Sequence, residues 1–299
     1  MPPSDFLDLH FDAYERLSAL VDMLGVLDLR ADSWIADIGG HPGFLSQMLP
    51  GRRVVTADFP KSGTVPYVRA SGTALPFRDG AFECVVSSDV LEHVPSDRRA
   101  KFLDELWRVS SRFVILGGPF GTPGTALAES CLRRIYGQTH AEANAWLEEH
   151  ARYGLPDLTS TVRHFEELGG KWAVQPNGDI VRWFCLFAAQ SLLDDLPGGT
   201  EIFRSFMPAH NRDFANRVVP DHGYRQLLVV GRDDEFPERL SGSDWRTDPA
   251  ALLHEDPMVD ARIQGLFQFF EALSQPLSQL ARRGEESGTL AAAYVAQLE

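Results

Sequence analysis

Between Trp34 and Gly118 four short apolar runs are separated by helix-like segments, and this alternation constrains the fold more than any other feature of the chain. The runs are SWIADI, RRVVTAD, FECVVSSD and RFVILGG. Each is too short for a helix, and their apolar cores do not alternate with polar residues, so each suits a strand buried on both faces. Between them GFLSQML starts a helix that Pro50-Gly51 stops, and SDRRAKFLDELWRVS places Phe102, Leu103, Leu106 and Trp107 on one face with Ser96 as its N-cap. Strand-helix repetition predicts an α/β fold, a doubly wound and mostly parallel sheet with helices on both sides.

The flanks elaborate this repeat. Phe11, Tyr14, Leu17, Leu20, Val21 and Leu24 recur at helical spacing near the start. Helical insertions are predicted at about 121–153 and 184–223. LTSTVRHFEELGG resumes the repeat as a helix ended by Gly169-Gly170. KWAVQPNGDIVRWF reads as a strand, or as a hairpin turning at Asn177-Gly178, and YRQLLVVGR is the last strand. These elements make one domain over 1–232. Residues 233–299 form a turn-rich linker and a helical C-terminal extension, in which Ile263, Leu266, Phe267, Phe270 and Leu273 share a stripe and Pro276 is expected to kink or break the helix. The stripe has two readings, packing on its own domain or a homodimer contact.

Composition excludes some functions. A net charge of -14 argues against general affinity for nucleic-acid phosphates. Three scattered cysteines offer neither a disulfide framework nor metal-ligand spacing, so no metal site is read. The first residues, MPPSDFLDLHFDAYERL, carry acids early and do not form a signal peptide. No apolar run reaches the roughly 18 residues of a membrane span. The expectation is a cytoplasmic protein with no membrane attachment, acting on a small molecule.

The chemistry concentrates in IADIGGHPGFLS. Asp37 ends the first strand, and Gly39 and Gly43 bracket a turn that lets a ligand approach the backbone. The turn is tighter than the GxGxxG of dinucleotide sites, and no Lys-Ser/Thr pair follows to hold a triphosphate. A second acid, Asp58, ends the next strand, 58 − 37 = 21 residues on. An acid at about this distance accepts ribose hydroxyls. A nucleoside cofactor is the inference.

IADIGGHPGFLS, VVTADFP, ALPFRDGAFECVVSSDVLEHVP and RFVILGGPF fall in the order and spacing of the class I S-adenosylmethionine-dependent methyltransferases, and the chain resembles the broad group labelled type 11. The resemblance covers about Ile35 to Phe120. It implies a Rossmann-like fold and S-adenosylmethionine as cofactor. It places Asp37 and Gly39 near the amino-acid end, counts Gly40, His41 and Gly43 of the same turn among the cofactor-binding residues, and puts Asp58 on the ribose, Ser71 and Gly72 at the adenine, and Ser88 and Asp89 beneath the methionine portion. Leu75-Pro76-Phe77 and Glu92-His93 are hallmarks of the same group. His41 departs from the pattern by standing where a glycine belongs. Ser71 departs by replacing an acid, and a neutral hydroxyl accepts the adenine amino group less strongly than a carboxylate does.

His150 and His93 are the candidate bases, because a histidine near its ordinary pKa takes a proton at neutral pH. His140 and His210 rank behind them. Trp183, Phe184, Phe187, Phe203 and Phe206 read as core. The acceptor, a sugar or other small or medium metabolite methylated on oxygen or nitrogen, is expected under a cover made by the insertions and the N-terminal helix. Two alternatives stand beside this reading: a protein of the same fold that binds the cofactor or acts as a scaffold without catalysis, and a nicotinamide-dependent oxidoreductase.

Overall fold

The computed structural model of the chain describes residues 6–59, 66–140, 142–215, 222–232, 240 and 256–296. Its strands are β1 (Trp34–Ile38), β2 (Arg53–Asp58), β3 (Tyr67–Arg69), β4 (Phe82–Ser88), β5 (Ser110–Pro119), β6 (Lys171–Asp179) and β7 (Gly223–Gly231). They form one seven-stranded sheet in the order β3-β2-β1-β4-β5-β7-β6. β1 to β5 pair in parallel, whereas β7 is antiparallel to both β5 and β6. The order reverses between β1 and β4. A crevice opens beyond the carboxyl ends of strands at such a point.

Helices α1 (Phe11–Val26), α2 (Phe44–Met48), α3 (Arg99–Val109) and α6 (Leu158–Glu167) cover the sheet. Side chains alternate along the strands, so each strand feeds two cores. Ala36, Ile38, Val85, Val114, Leu116 and Leu228 join Phe102, Leu106 and Phe165 of α3 and α6 on one face. Ile35, Cys84, Val86, Phe113, Ile115 and Leu227 join Leu17, Leu20 and Leu45 of α1 and α2 on the other. Arg108 of α3 clamps the loop before β4. Its guanidinium donates to the Leu75 and Phe77 carbonyls at 3.0 and 2.8 Å, and Glu105 accepts the Leu75 N–H. The Leu75-Pro76-Phe77 hallmark is in this respect structural.

The predicted insertions are helical: α4 (Pro123–Thr139), α5 (Ala145–Tyr153), α7 (Ile180–Asp194) and α8 (Gly199–Asp213). Thr122, Asn144 and Asp179 cap α4, α5 and α7 by accepting backbone N–H groups of the first turn. With α9 (Pro257–Ala296) and Phe11, these helices build a third core around Leu132, Ile135, Trp183 and Phe184. Ile263, Phe267 and Phe270 are buried in it, so the stripe on the C-terminal helix packs within the chain.

Three local expectations need correction, and one strand was missed. α9 continues through Pro276. Ser96 does not cap α3; Ser96–Arg98 forms a separate 3-10 turn, and Arg98 precedes the helix without a side-chain cap. Asn177-Gly178 is no hairpin turn, because β6 continues through it, pairing with β7 up to Asp179. β3 escaped notice, being three residues long. The proposed linker lies outside the described residues except for Leu240, which is buried in the second core. Among the described residues no helix is long and apolar enough to cross a membrane.

Candidate functional site

The glycine turn follows directly from β1. Gly39 and Gly43 have φ of 81° and 92°, a region where a side chain is strained. His41 has no such φ: among described non-glycine residues only Asp28 and Asp89 do. The position therefore accepts a histidine, whose side chain is exposed. Gly40 is fixed by packing instead. A Cβ there would meet the Asp37 carboxylate at 1.9 Å. Asp58 ties the turn to β2, accepting the His41 N–H at 3.1 Å and the Phe59 N–H at 2.6 Å. Burial pushes Asp37 up to about 7, against the pull of Arg16 and with a further push from Asp58.

Beyond the turn lies a cleft of about 350 Å³. Of the sequence-predicted cofactor residues, Gly39, Asp58, Ser71, Gly72 and Asp89 line it. Asp37, Gly40, His41, Gly43 and Ser88 do not line it; Asp37 and Gly40 pack on each other, His41 reaches Asp58 through its backbone, and Gly43 begins α2. Gly72 is held against the Phe102 ring, which a Cβ would meet at 2.3 Å. The Ser71 hydroxyl lies 3.0 Å from that of Thr73. Sequence reasoning missed Phe59, Thr73, Arg98 and Phe102 in this wall. Phe59 carried a signal, an aromatic residue directly after a strand-end acid, and it is 63% exposed.

A second cavity of about 150 Å³ adjoins the first. Asp89 and His93 line both. Its other walls come from Asp12 of α1, Glu92, Trp146 and His150 of α5, Trp183 and Phe187 of α7, and Tyr224 and Arg225 of β7. Residues of both predicted insertions and of the first helix line this cavity, Asp12 among them. Trp183 and Phe187, read from sequence as core, are also cavity wall. Trp183 stacks on Tyr224 with ring centroids 3.6 Å apart, and its Nε1 donates to Asp12 at 2.9 Å.

The polar floor is a buried ion network. Arg225 is 2% exposed and donates to both Asp12 oxygens at 2.7 Å and to Asp89 at 2.7 and 2.8 Å. Arg16 adds a bond to Asp89 at 3.2 Å. Burial would raise the Asp89 pKa, but Arg225 and Arg16 overcome this and hold it at about 2. Asp89 carries a φ of 54°, a strained conformation for a residue with a side chain, and its pairing with two arginines holds it there. Glu92 behaves oppositely: burial, with the adjacent Asp89 charge, raises it well above the ordinary carboxylate range. Burial also lifts Glu15 to about 7, although Arg182 and Arg225 oppose it.

The two candidate bases are brought together. His93 and His150 have ring centroids 4.8 Å apart. His150 Nδ1 lies 3.0 Å from Glu129, which also accepts from the Tyr224 hydroxyl at 2.9 Å. His93 Nδ1 lies 2.7 Å from Glu149. With Glu92 the two histidines form a cluster whose donor atoms lie within 4.8 Å of one another. Sequence spacing gave no sign of it, because α5 is distant in the chain from the Glu92-His93 turn. His140 and His210 lie apart: His140 bonds Thr139, and His210 bonds Asn211.

Residues 37–112 match a family model described as a methyltransferase domain. The chain is 35% identical over 111 residues to a protein of Mycobacterium sp. (strain KMS) named an uncharacterized methyltransferase, a match covering 31% of this chain and 43% of that protein. A protein of the same name in Mycobacterium avium (strain 104) is 31% identical over 127 residues, covering 35% and 49%. The chain thus spans less than half the length of the curated relatives it matches. The crystal structure of magnesium protoporphyrin IX methyltransferase from Synechocystis PCC 6803 with bound SAH aligns at a TM-score of 0.45 and 14% identity, over 76% of this chain and 86% of that one.

Proposed function

We propose that this chain, whose residues 37–112 match a methyltransferase-domain model, transfers the methyl group of S-adenosylmethionine to a small acceptor held in the adjoining cavity. The observation that carries this reading is the junction. The cleft beside the glycine turn and the polar cavity next to it share Asp89 and His93, so a donor in one would meet an acceptor in the other.

The cleft fits the cofactor by size and chemistry. Its volume falls within the roughly 300–1,000 Å³ of small-molecule pockets. Asp58 would accept the ribose hydroxyls, Phe59 would offer its exposed face to the adenine, and Ser71 and Gly72 would border the adenine edge. Asp37 and Gly39 would stand at the amino-acid end. When bound, S-adenosylmethionine supplies a methyl group on a positively charged sulfonium.

The chain's own task is then alignment and the exclusion of water, which together lower a barrier by about 7–11 kcal/mol in favourable cases. Trp146, Trp183 and Phe187 give the cavity aromatic walls, while Arg225 and Asp12 form its polar floor. An amine acceptor needs only to arrive neutral. A hydroxyl acceptor must lose its proton, and the wall of Glu92, His93 and His150 is the group placed to favour that. The cavity volume favours a small acceptor. Incubating the protein with methyl-labelled S-adenosylmethionine and pooled small alcohols, sugars and amines is expected to label one class of them. Label transfer to none, by protein that binds the cofactor, would overturn the catalytic reading.

The raised pKa of Asp37 gives a pH dependence. Near pH 7 about half of the free protein carries this side chain protonated. A ligand ammonium group bound at Gly39 would favour the carboxylate just behind the turn, so binding below pH 7 is expected to release a proton. Affinity for S-adenosylhomocysteine is therefore expected to fall about tenfold per unit as pH drops below 7, and to level off above it. Calorimetry across this range checks the slope, and Asp37→Asn is expected to flatten it.

A further inference from the structure

We propose that Glu92, His93 and His150 form a binding site for one divalent transition-metal ion of the zinc type, with an open coordination position toward the acceptor cavity. One donor atom from each residue lies within 4.8 Å of the other two, and all three side chains line that cavity.

The burial of these groups points to a ligand. His150 is 3% exposed and Glu92 1% exposed, yet His150 Nε2 and Glu92 Oε2 have no hydrogen-bond partner. Two orphaned polar atoms on side chains that converge with a third donor are an arrangement that a cation would satisfy.

The surroundings supply a second, independent argument. Each histidine has a carboxylate at Nδ1: Glu129 on His150 at 3.0 Å, and Glu149 on His93 at 2.7 Å. A carboxylate there holds the proton on Nδ1 and leaves the Nε2 lone pair free. Metal-ligating histidines are oriented and made more basic in this way. The Tyr224 hydroxyl steadies Glu129 in turn, at 2.9 Å. The device occurs twice, on two elements that face each other, the Leu91–His93 turn and α5.

Two imidazoles and one carboxylate suit zinc or a similar ion and not magnesium, which prefers oxygen donors. Donors around a tetrahedral zinc stand about 3.3–3.6 Å apart, given bonds of about 2.0–2.2 Å. Metal binding would require these donors to draw in from their present spread of up to 4.8 Å. The fourth position then opens on the cavity and takes an oxygen of the acceptor, a hydroxyl or a carboxylate. This last point rests on the methyltransferase reading, whereas the metal site itself does not.

The test is titration of chelator-treated protein with Co²⁺ and then Zn²⁺. The intense visible absorption of tetrahedral Co²⁺ is expected at one ion per chain, bleached by Zn²⁺. Glu92→Gln and His150→Gln are each expected to weaken Zn²⁺ binding by more than about a hundredfold, and Glu129→Gln by about 10–100-fold. Circular dichroism and S-adenosylhomocysteine calorimetry on the same samples show whether each variant is folded. Wild-type protein that gives no tetrahedral Co²⁺ spectrum overturns the proposal even if no variant folds. So does Zn²⁺ affinity unchanged in folded Glu92→Gln and His150→Gln. Loss of S-adenosylhomocysteine binding with the metal spectrum intact would count against the methyltransferase reading alone.

Discussion

Alanine in place of Asp58 is expected to weaken S-adenosylhomocysteine binding by about a hundredfold or more while leaving the fold in place. A carboxylate that accepts two ribose hydroxyls contributes charge-assisted bonds of about 1.5–3 kcal/mol each, not fully additive. Asp58 stands at the carboxyl end of β2, half-buried, and its bonds in the free protein go to two backbone N–H groups at the glycine turn and just after the strand. Their loss costs the turn some order but exposes no core. Calorimetry measures the affinity, and a thermal melt measures the fold. Asp58→Asn keeps an acceptor without the charge and is expected to fall between wild type and alanine. An alanine variant that binds as well as wild type would remove Asp58 from the site.

The second large effect concerns stability. Arg225→Ala leaves Asp12 and Asp89 without the buried cation between them. Removing one partner of a buried ion pair costs about 3–5 kcal/mol, because the remaining charge is uncompensated. Urea denaturation at neutral pH is expected to show a loss of that order, and a loss below about 1 kcal/mol would contradict it. The network also has a pH signature. Asp89 is held at about 2, below its ordinary value, so its stabilising contribution is complete above roughly pH 4 and is lost as pH falls toward 2. In the variant only Arg16 remains against Asp89, so the depression is smaller and the acid limb of the stability curve is expected to shift upward.

Arg225 also shows where sequence reasoning stopped short. It lies in YRQLLVVGR, an apolar run with one cation inside, and β7 is buried along its whole length. A buried arginine requires acids, and that much was legible; which acids was not, because Asp12 and Asp89 come from α1 and the end of β4. The strands around the glycine turn were readable because continuous apolar runs between helices have few other solutions. The turn was readable because positive φ demands glycine at positions 39 and 43. His41 then looked anomalous only because a family pattern places glycine there, while the backbone at that position makes no such demand.

The second cavity was less legible for a physical reason. Helical periodicity places Trp183 and Phe187 on an apolar face but does not tell whether that face meets other side chains or a chamber. Ser96 failed as a cap because a 3-10 turn intervenes between it and α3. Glu92, His93 and His150 meet only through tertiary folding, and spacing along the chain carries no trace of it.

Calorimetric titration of the purified wild-type chain with S-adenosylhomocysteine, and separately with NAD, tests the central claim most directly. One molecule of S-adenosylhomocysteine is expected to bind per chain in the micromolar range, with no saturable heat from NAD. No saturable heat with S-adenosylhomocysteine, or comparable binding of both, would contradict it.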